Sequence, residues 1–123
     1  MKRILKTRTF SRWLRKVALQ DKALRKAVEE MESGLVDASL GGGVFKKRVA
    51  MPGTGKSGGA RTLIATNKAD RWIFIYGFEK NERDNITQPE LVFLQGIARD
   101  FLDCSDAALL HAVDQGELEE LTL

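Results

Sequence analysis

Seven basic side chains gather in the middle of this 123-residue sequence. Lys46, Lys47, Arg48, Lys56 and Arg61 fall within sixteen residues, with no acid among them, and Lys80 and Arg83 follow an apolar stretch. Such side chains hold phosphate, lysine as a point charge and arginine through paired N–H···O bonds. They also stabilise the charge that develops on a phosphate under attack. The same region carries PGTGKS, Pro52–Ser57, close to a nucleotide-binding loop. That loop follows GxxxxGK[ST] and opens a helix. Here Ala50 stands where the first glycine belongs, and Gly58 and Gly59 follow the lysine and serine, which disfavours a helix start. Ala60 to Thr66 then reads as a strand. A glycine-rich connection between two strands is a long hairpin loop, here carrying Lys56 and ending in Arg61, and not a phosphate cradle.

Other chemistries find little material. The only histidine is His111 and the only cysteine is Cys104, so no zinc-type cluster is expected and no internal disulfide is possible. His111 lies in an acidic tail, far in sequence from the basic centre, and reads as a surface or packing residue rather than part of a nucleophile–base pair. A single cysteine suits a reducing cytoplasm, and no cofactor is expected. The basic start lacks the apolar run of a signal peptide, and no stretch approaches the ~20 apolar residues of a membrane span. Residues 1–26 hold ten Lys or Arg against Asp21 alone, and residues 103–123 hold six acids and no Lys or Arg. The basic front suits an acidic partner, though a solvated helix face would look the same.

The elements that must position the basic residues follow from periodicity. Residues 4–9 suggest a short first strand. From Ser11 the pattern turns helical, with stripes through Trp13, Leu14 and Val17 and through Leu24, Ala27, Val28 and Met31. A break near Gln20-Asp21 makes these a helical hairpin or one bent helix, and Ser33-Gly34 stops it. Gly41–Gly43 is a loop. Strands are expected over 44–51, 60–68 and 71–80, joined as hairpins and therefore antiparallel. In the last, Ile73 and Ile75 face one way, and Trp72, Phe74, Tyr76 and Phe78 the other. Tyr76 thus reads as a core tyrosine. Thr87-Gln88-Pro89-Glu90 is a capping box that opens a helix with Leu91, Leu94, Ala98 and Phe101 on one face. Ser105 caps a last short helix. The expected fold is α+β: an N-terminal helical hairpin packed on a small, mostly antiparallel sheet, with C-terminal helices, all in one domain over residues 1–123.

On such a sheet Lys46 and Arg48 share a face, while Phe45, Val49 and Met51 point to the core. Lys47 falls on the core side and must sit near an edge or reach outward. Arg61 opens the neighbouring strand, and Lys80 and Arg83 close the third. Bases on three successive elements converge on one face and suit a phosphate ligand, against the alternative of an ordinary solvated sheet surface.

FKKRVAMPGTGKSGGARTLIA (45–65) and IYGFEKNERDNIT (75–87) resemble the RelE/HigB-type toxins of bacterial toxin–antitoxin pairs, nearest their HigB-like branch. The resemblance spans most of the chain. It implies a RelE-like fold and a cytoplasmic, metal-independent mRNA endonuclease that acts on translating ribosomes. Its inhibitor would be a small antitoxin, often of helix-turn-helix type. In that chemistry the 2′-hydroxyl attacks the adjacent phosphate and leaves a cyclic phosphate. By position, the resemblance makes Lys46, Arg48, Arg61 and Lys80 the catalytic cations, with Lys47, Lys56 and Arg83 as RNA contacts. RelE carries a further arginine about where Asn81 stands and a tyrosine near Thr87, so its acid–base roles do not carry over. A lysine acts as base at neutral pH only if its pKa is lowered, as crowding among cations does. Competing readings are a non-catalytic nucleic-acid or partner-binding module and a ParE-like gyrase inhibitor. A nucleotide hydrolase fits least, for want of the helix and the Mg²⁺-binding acid.

Overall fold

A strand opens the chain, and this displaces the expected N-terminal helical hairpin from first place. In the computed structural model, which describes residues 2–51 and 55–121 and only the backbone of 55–58, β1 (Arg3–Thr7) precedes α1 (Arg8–Val17) and α2 (Asp21–Glu32). Then come β2 (Ala38–Gly41), β3 (Val44–Met51), β4 (Gly55–Thr66), β5 (Arg71–Glu79), α3 (Gln88–Asp103), α4 (Asp106–Asp114) and β6 (Leu118–Glu120). The six strands form one sheet in the order β2-β3-β4-β5-β1-β6. Only the β1–β5 pair is parallel.

β1 is a central strand because it is apolar on both sides. Ile4 packs with Phe10, Leu14, Leu24, Val28, Trp72 and Phe74 on the α1/α2 side, and Leu5 with Ile73, Leu94, Leu109 and Leu118 on the α3/α4 side. The sheet therefore lies between two helical layers with a core on each face. Thr7 ends β1 and caps α1 in the same residue, its hydroxyl accepting from the Phe10 amide at 3.2 Å. Ala18 in the left-handed region breaks the helices apart (φ 59°), and Gly34 (φ 94°) follows the end of α2. Lys6, on the α1/α2 side, is buried and held by Asp21 at 2.8 Å. The two short edge strands β2 and β6 have no clear sequence signature.

The glycine-rich stretch runs into strand, not helix, and the strand starts earlier than expected: the long loop anticipated up to Arg61 gives way to pairing that resumes at Gly55. β3 pairs with β4 from Val44↔Ala65 up to Met51↔Gly55, so Gly55 to Thr66 is extended where a nucleotide-binding loop requires a helix. Pro52–Thr54, and the side chains of Lys56 and Ser57, lie outside the described residues.

β5 departs from simple alternation. Leu63 pairs with Tyr76 but Ile64 with Phe74, so Ile75 is an extra residue, a β-bulge. Trp72 and Phe74 share a face as expected, and it is the α1 side. Beyond the bulge the phase shifts, and Tyr76 packs with the α3/α4 cluster. Gly77 then faces α1, where Trp13 lies so close that a Cβ would overlap its ring. The expected shared face of Phe74 and Tyr76 is thereby corrected.

The helix after the sheet begins as anticipated. Thr87 Oγ1 accepts from the Glu90 amide at 3.3 Å, and Glu90 Oε1 accepts from the Thr87 amide at 2.7 Å. Its far end is held by Arg71, a buried side chain whose Nη1 donates to the Phe101 and Cys104 carbonyls at 2.8 and 2.7 Å while Nη2 meets Asp106 at 2.8 Å. These bonds satisfy carbonyls that a helix end leaves open.

Candidate functional site

The register decides which cations meet. Arg48 of β3 lies directly opposite Arg61 of β4, which lies opposite Phe78 of β5. The row below reads Lys46, Leu63, Tyr76. Residues paired across antiparallel strands share a face, and Leu63 and Tyr76 identify it as the α3/α4 side. α3 begins beside Tyr76 and runs toward the other end of the sheet, where Leu102 meets Gly43. It covers Leu63. In the next row Arg48 is exposed, Arg61 half-buried and Phe78 buried.

The cations differ in what already holds them. The side chains of Lys46 and Lys80 have no hydrogen-bond or ion-pair partner among the described residues, and Lys80 is exposed. Arg61 is half-buried, and its Nη1 is buried without a partner. Arg48 leans outward on Asp37, Nε to Oδ2 3.4 Å, with half of its side chain exposed. Leaving a buried guanidinium nitrogen unsatisfied is costly, so Arg61 is a donor in want of an acceptor. An anion over the Arg61 row would supply it.

Arg83 is differently placed. It donates twice to Glu90, at 2.6 and 2.9 Å, once to the Asn85 carbonyl at 2.9 Å, and once to the Tyr76 hydroxyl at 3.2 Å. Its guanidinium lies over the Phe78 ring, 5.8 Å from the centroid. The Arg83 hydrogen bonds, helped by the Thr87 amide, bring the Glu90 carboxyl down to about 2. Glu90 thus closes the α3 cap and neutralises Arg83 at once, and Arg83 braces Tyr76 and Phe78.

Lys47 is taken away from the face altogether. It is 3% exposed and its Nζ lies 2.8 Å from Glu30 Oε1 on α2. Neither the edge position nor the outward reach expected of it occurs, because α2 supplies a carboxylate inside the core layer and a paired burial replaces solvation. The remaining expected contact, Lys56, has its side chain outside the described residues.

The residue that sequence reasoning set aside is Tyr76. Alternation put it in the core, and only the bulge at Ile75 brings its ring, 6.2 Å from that of Phe78, to the basic face. A groove of about 700 Å³ runs beside it, between the start of α1 and α3. The groove mixes Arg8 and Arg12 with Glu90, Asp100 and Glu117 around Phe93, so it lacks the one-signed charge that a phosphate needs. The sheet face that carries Arg48, Arg61 and Lys46 on adjacent rows has it.

Among the described residues no three His, Cys, Asp or Glu side chains gather as a metal site, and no helix is long and apolar enough to cross a membrane. No individual curated protein matches the chain. A family model described as the RelE toxin of the RelE / RelB toxin–antitoxin system matches residues 2–121, nearly the whole chain. On that match, with its mixed α+β architecture, the chain belongs to the RelE toxin family and has a cognate antitoxin as its partner.

Proposed function

We propose that this toxin is a metal-independent endoribonuclease of the HigB-like branch, a single RelE-like domain that cuts mRNA on the ribosome in the cytoplasm. The observation that carries the reading is the unpartnered, buried Nη1 of Arg61 beside Arg48, one strand row above Lys46. A structural arginine would have found a carboxylate, as Arg83 and Arg71 do. A guanidinium without a carboxylate partner, paired across the strands with a second arginine, favours a transient anion.

The scissile phosphate would lie over β4, with its non-bridging oxygens toward Arg61 and Arg48. Attack by the 2′-hydroxyl concentrates negative charge on those oxygens, and fixed cations stabilise that charge more than they stabilise the ground state. Lys46 on β3 and Lys80 just past the end of β5 extend the positive field to either side of β4. The antitoxin, of helix-turn-helix type in this reading, opposes the activity by binding the toxin.

Induction in cells, with mapping of mRNA 5′ ends and of 2′,3′-cyclic phosphates, tests this. Cleavage that requires translation, persists in a purified translation system made with matched Mg²⁺ controls, and falls more than tenfold in Arg61→Ala is the expected result. Intact mRNA under growth arrest would refute the nuclease reading and return the gyrase-directed alternative.

A further inference from the structure

The bulge at Ile75 does more than disturb alternation. It turns the only tyrosine of the chain out of the Trp72/Phe74 layer and into the row that holds Lys46. β3 and β5 are separated by β4, so Lys46 and Tyr76 stand about 10 Å apart across it, two strand spacings. Arg61 rises from β4 between them, one row above. A phosphate held by Arg61 would therefore have the tyrosine on one flank and the lysine on the other. Displacement at phosphorus needs that arrangement, with attacking and leaving oxygens on opposite sides of the atom.

The hydrogen bonding of Tyr76 sets its polarity. Arg83 Nη1 donates to the phenol oxygen at 3.2 Å, so the oxygen is an acceptor there. No acceptor among the described residues takes the phenol proton. The phenol thus keeps a proton to give, and the guanidinium already in place would stabilise the phenolate left behind. Glu90 fixes Arg83 through two bonds and is itself fixed by the cap of α3. The aim of the tyrosine is thereby tied to a helix end.

Resting on the nuclease reading above, we propose that Tyr76 is the general acid of the cleavage, and that Arg83 is its positioning residue. The 2′-oxygen bonds to phosphorus as the bond from phosphorus to the 5′-oxygen breaks. The phenol passes its proton to that 5′-oxygen and becomes phenolate. The proton of the 2′-hydroxyl goes to solvent water, and solvent returns one to the phenolate. The products are a 2′,3′-cyclic phosphate and a 5′-hydroxyl.

A sulfur in place of the bridging 5′-oxygen tests the acid directly, because a thiol ionises near pH ~8.5 and leaves as thiolate without a proton donor. Ribosomes programmed with mRNA bearing an oxygen or a sulfur at the cut site are treated with wild-type protein, Tyr76→Phe and Arg83→Lys. Tyr76→Phe should lose roughly 100- to 10,000-fold on the oxygen linkage and stay within about tenfold of wild type on the sulfur linkage. Arg83→Lys should show the same selective loss, smaller in size. Should Tyr76→Phe fail to fold, a fluorotyrosine at position 76, with its lower pKa, should move the alkaline limb of the rate profile to lower pH. Equal losses on both linkages, full activity of Tyr76→Phe on oxygen, or an unmoved limb would overturn the acid assignment alone. A wild-type protein inactive on both linkages would overturn the nuclease reading as well.

Discussion

Arg61→Met should make this protein more stable and less active at once. The substitution keeps an unbranched apolar stem and removes the guanidinium. In the structure Nη1 of Arg61 is buried with no partner among the described residues, and an unsatisfied buried donor costs roughly 1–3 kcal/mol. Arg48 faces it directly across the strands, and like charges so placed cost about 0.2–1 kcal/mol more. Arg61 as a whole is only half-buried, so the low ends of both ranges apply. The expected gain is about 1 kcal/mol. For a domain of this size that raises Tm by roughly 3–5 °C. Cleavage moves the other way, by about 100- to 1,000-fold, the usual loss for one fixed donor to a developing oxyanion. Urea unfolding of both proteins, with mRNA cleavage in a purified translation system, measures the two effects on the same samples. A lower urea midpoint at unchanged slope would show that the guanidinium is satisfied in the folded protein and that Arg61 is a structural arginine.

Three further outcomes follow from neighbouring features. Replacing Lys46 and Arg48 together by alanine should flatten the salt dependence of RNA binding by about 1–2 in log–log slope, at ~0.7 per phosphate contact on a single strand; an unchanged slope would remove β3 from the interface. Glu90, held at about 2 by Arg83, has a folded value below its unfolded ~4.3, so its contribution is complete above that pH and lost as pH falls through 2. The stability gap between wild type and Glu90→Gln should therefore be constant above pH ~5 and shrink steadily below pH ~4; urea midpoints across that range check it, and a gap that survives to low pH contradicts the pairing. Gly77→Ala drives a methyl into the Trp13 ring, and overpacking of this kind should lower stability by roughly 1–3 kcal/mol, visible as a lower urea midpoint.

Much of the frame was written locally. The capping box Thr87–Glu90, the stop at Ser33-Gly34, the alternation in residues 44–51 and the strand after Gly59 each depend on a few adjacent residues, and each stands in the structure as its own pattern reads. The hairpin order β3-β4-β5 is local too, because connections too brief for a crossover leave antiparallel pairing as the only outcome. The place of β1 was not legible. Its partner β5 lies more than sixty residues away, and a five-residue apolar strand does not name its neighbour. Nor was the fate of Lys47, whose charge is met by a carboxylate from α2.

Sequence alone determined that cations would crowd one stretch of sheet, since composition and period two require no distant partner. Tertiary structure decided which of them remain open. Register set Arg61 opposite Arg48, Glu30 and Glu90 took up Lys47 and Arg83, and one extra residue at Ile75 turned Tyr76 from one core to the other. A bulge costs the local sequence almost nothing and reverses the face of every residue that follows it. Lys47 meets its counter-charge only because α2 folds against the sheet, and Arg83 meets Glu90, seven residues on, only because the turn between them brings the start of α3 back to the end of β5.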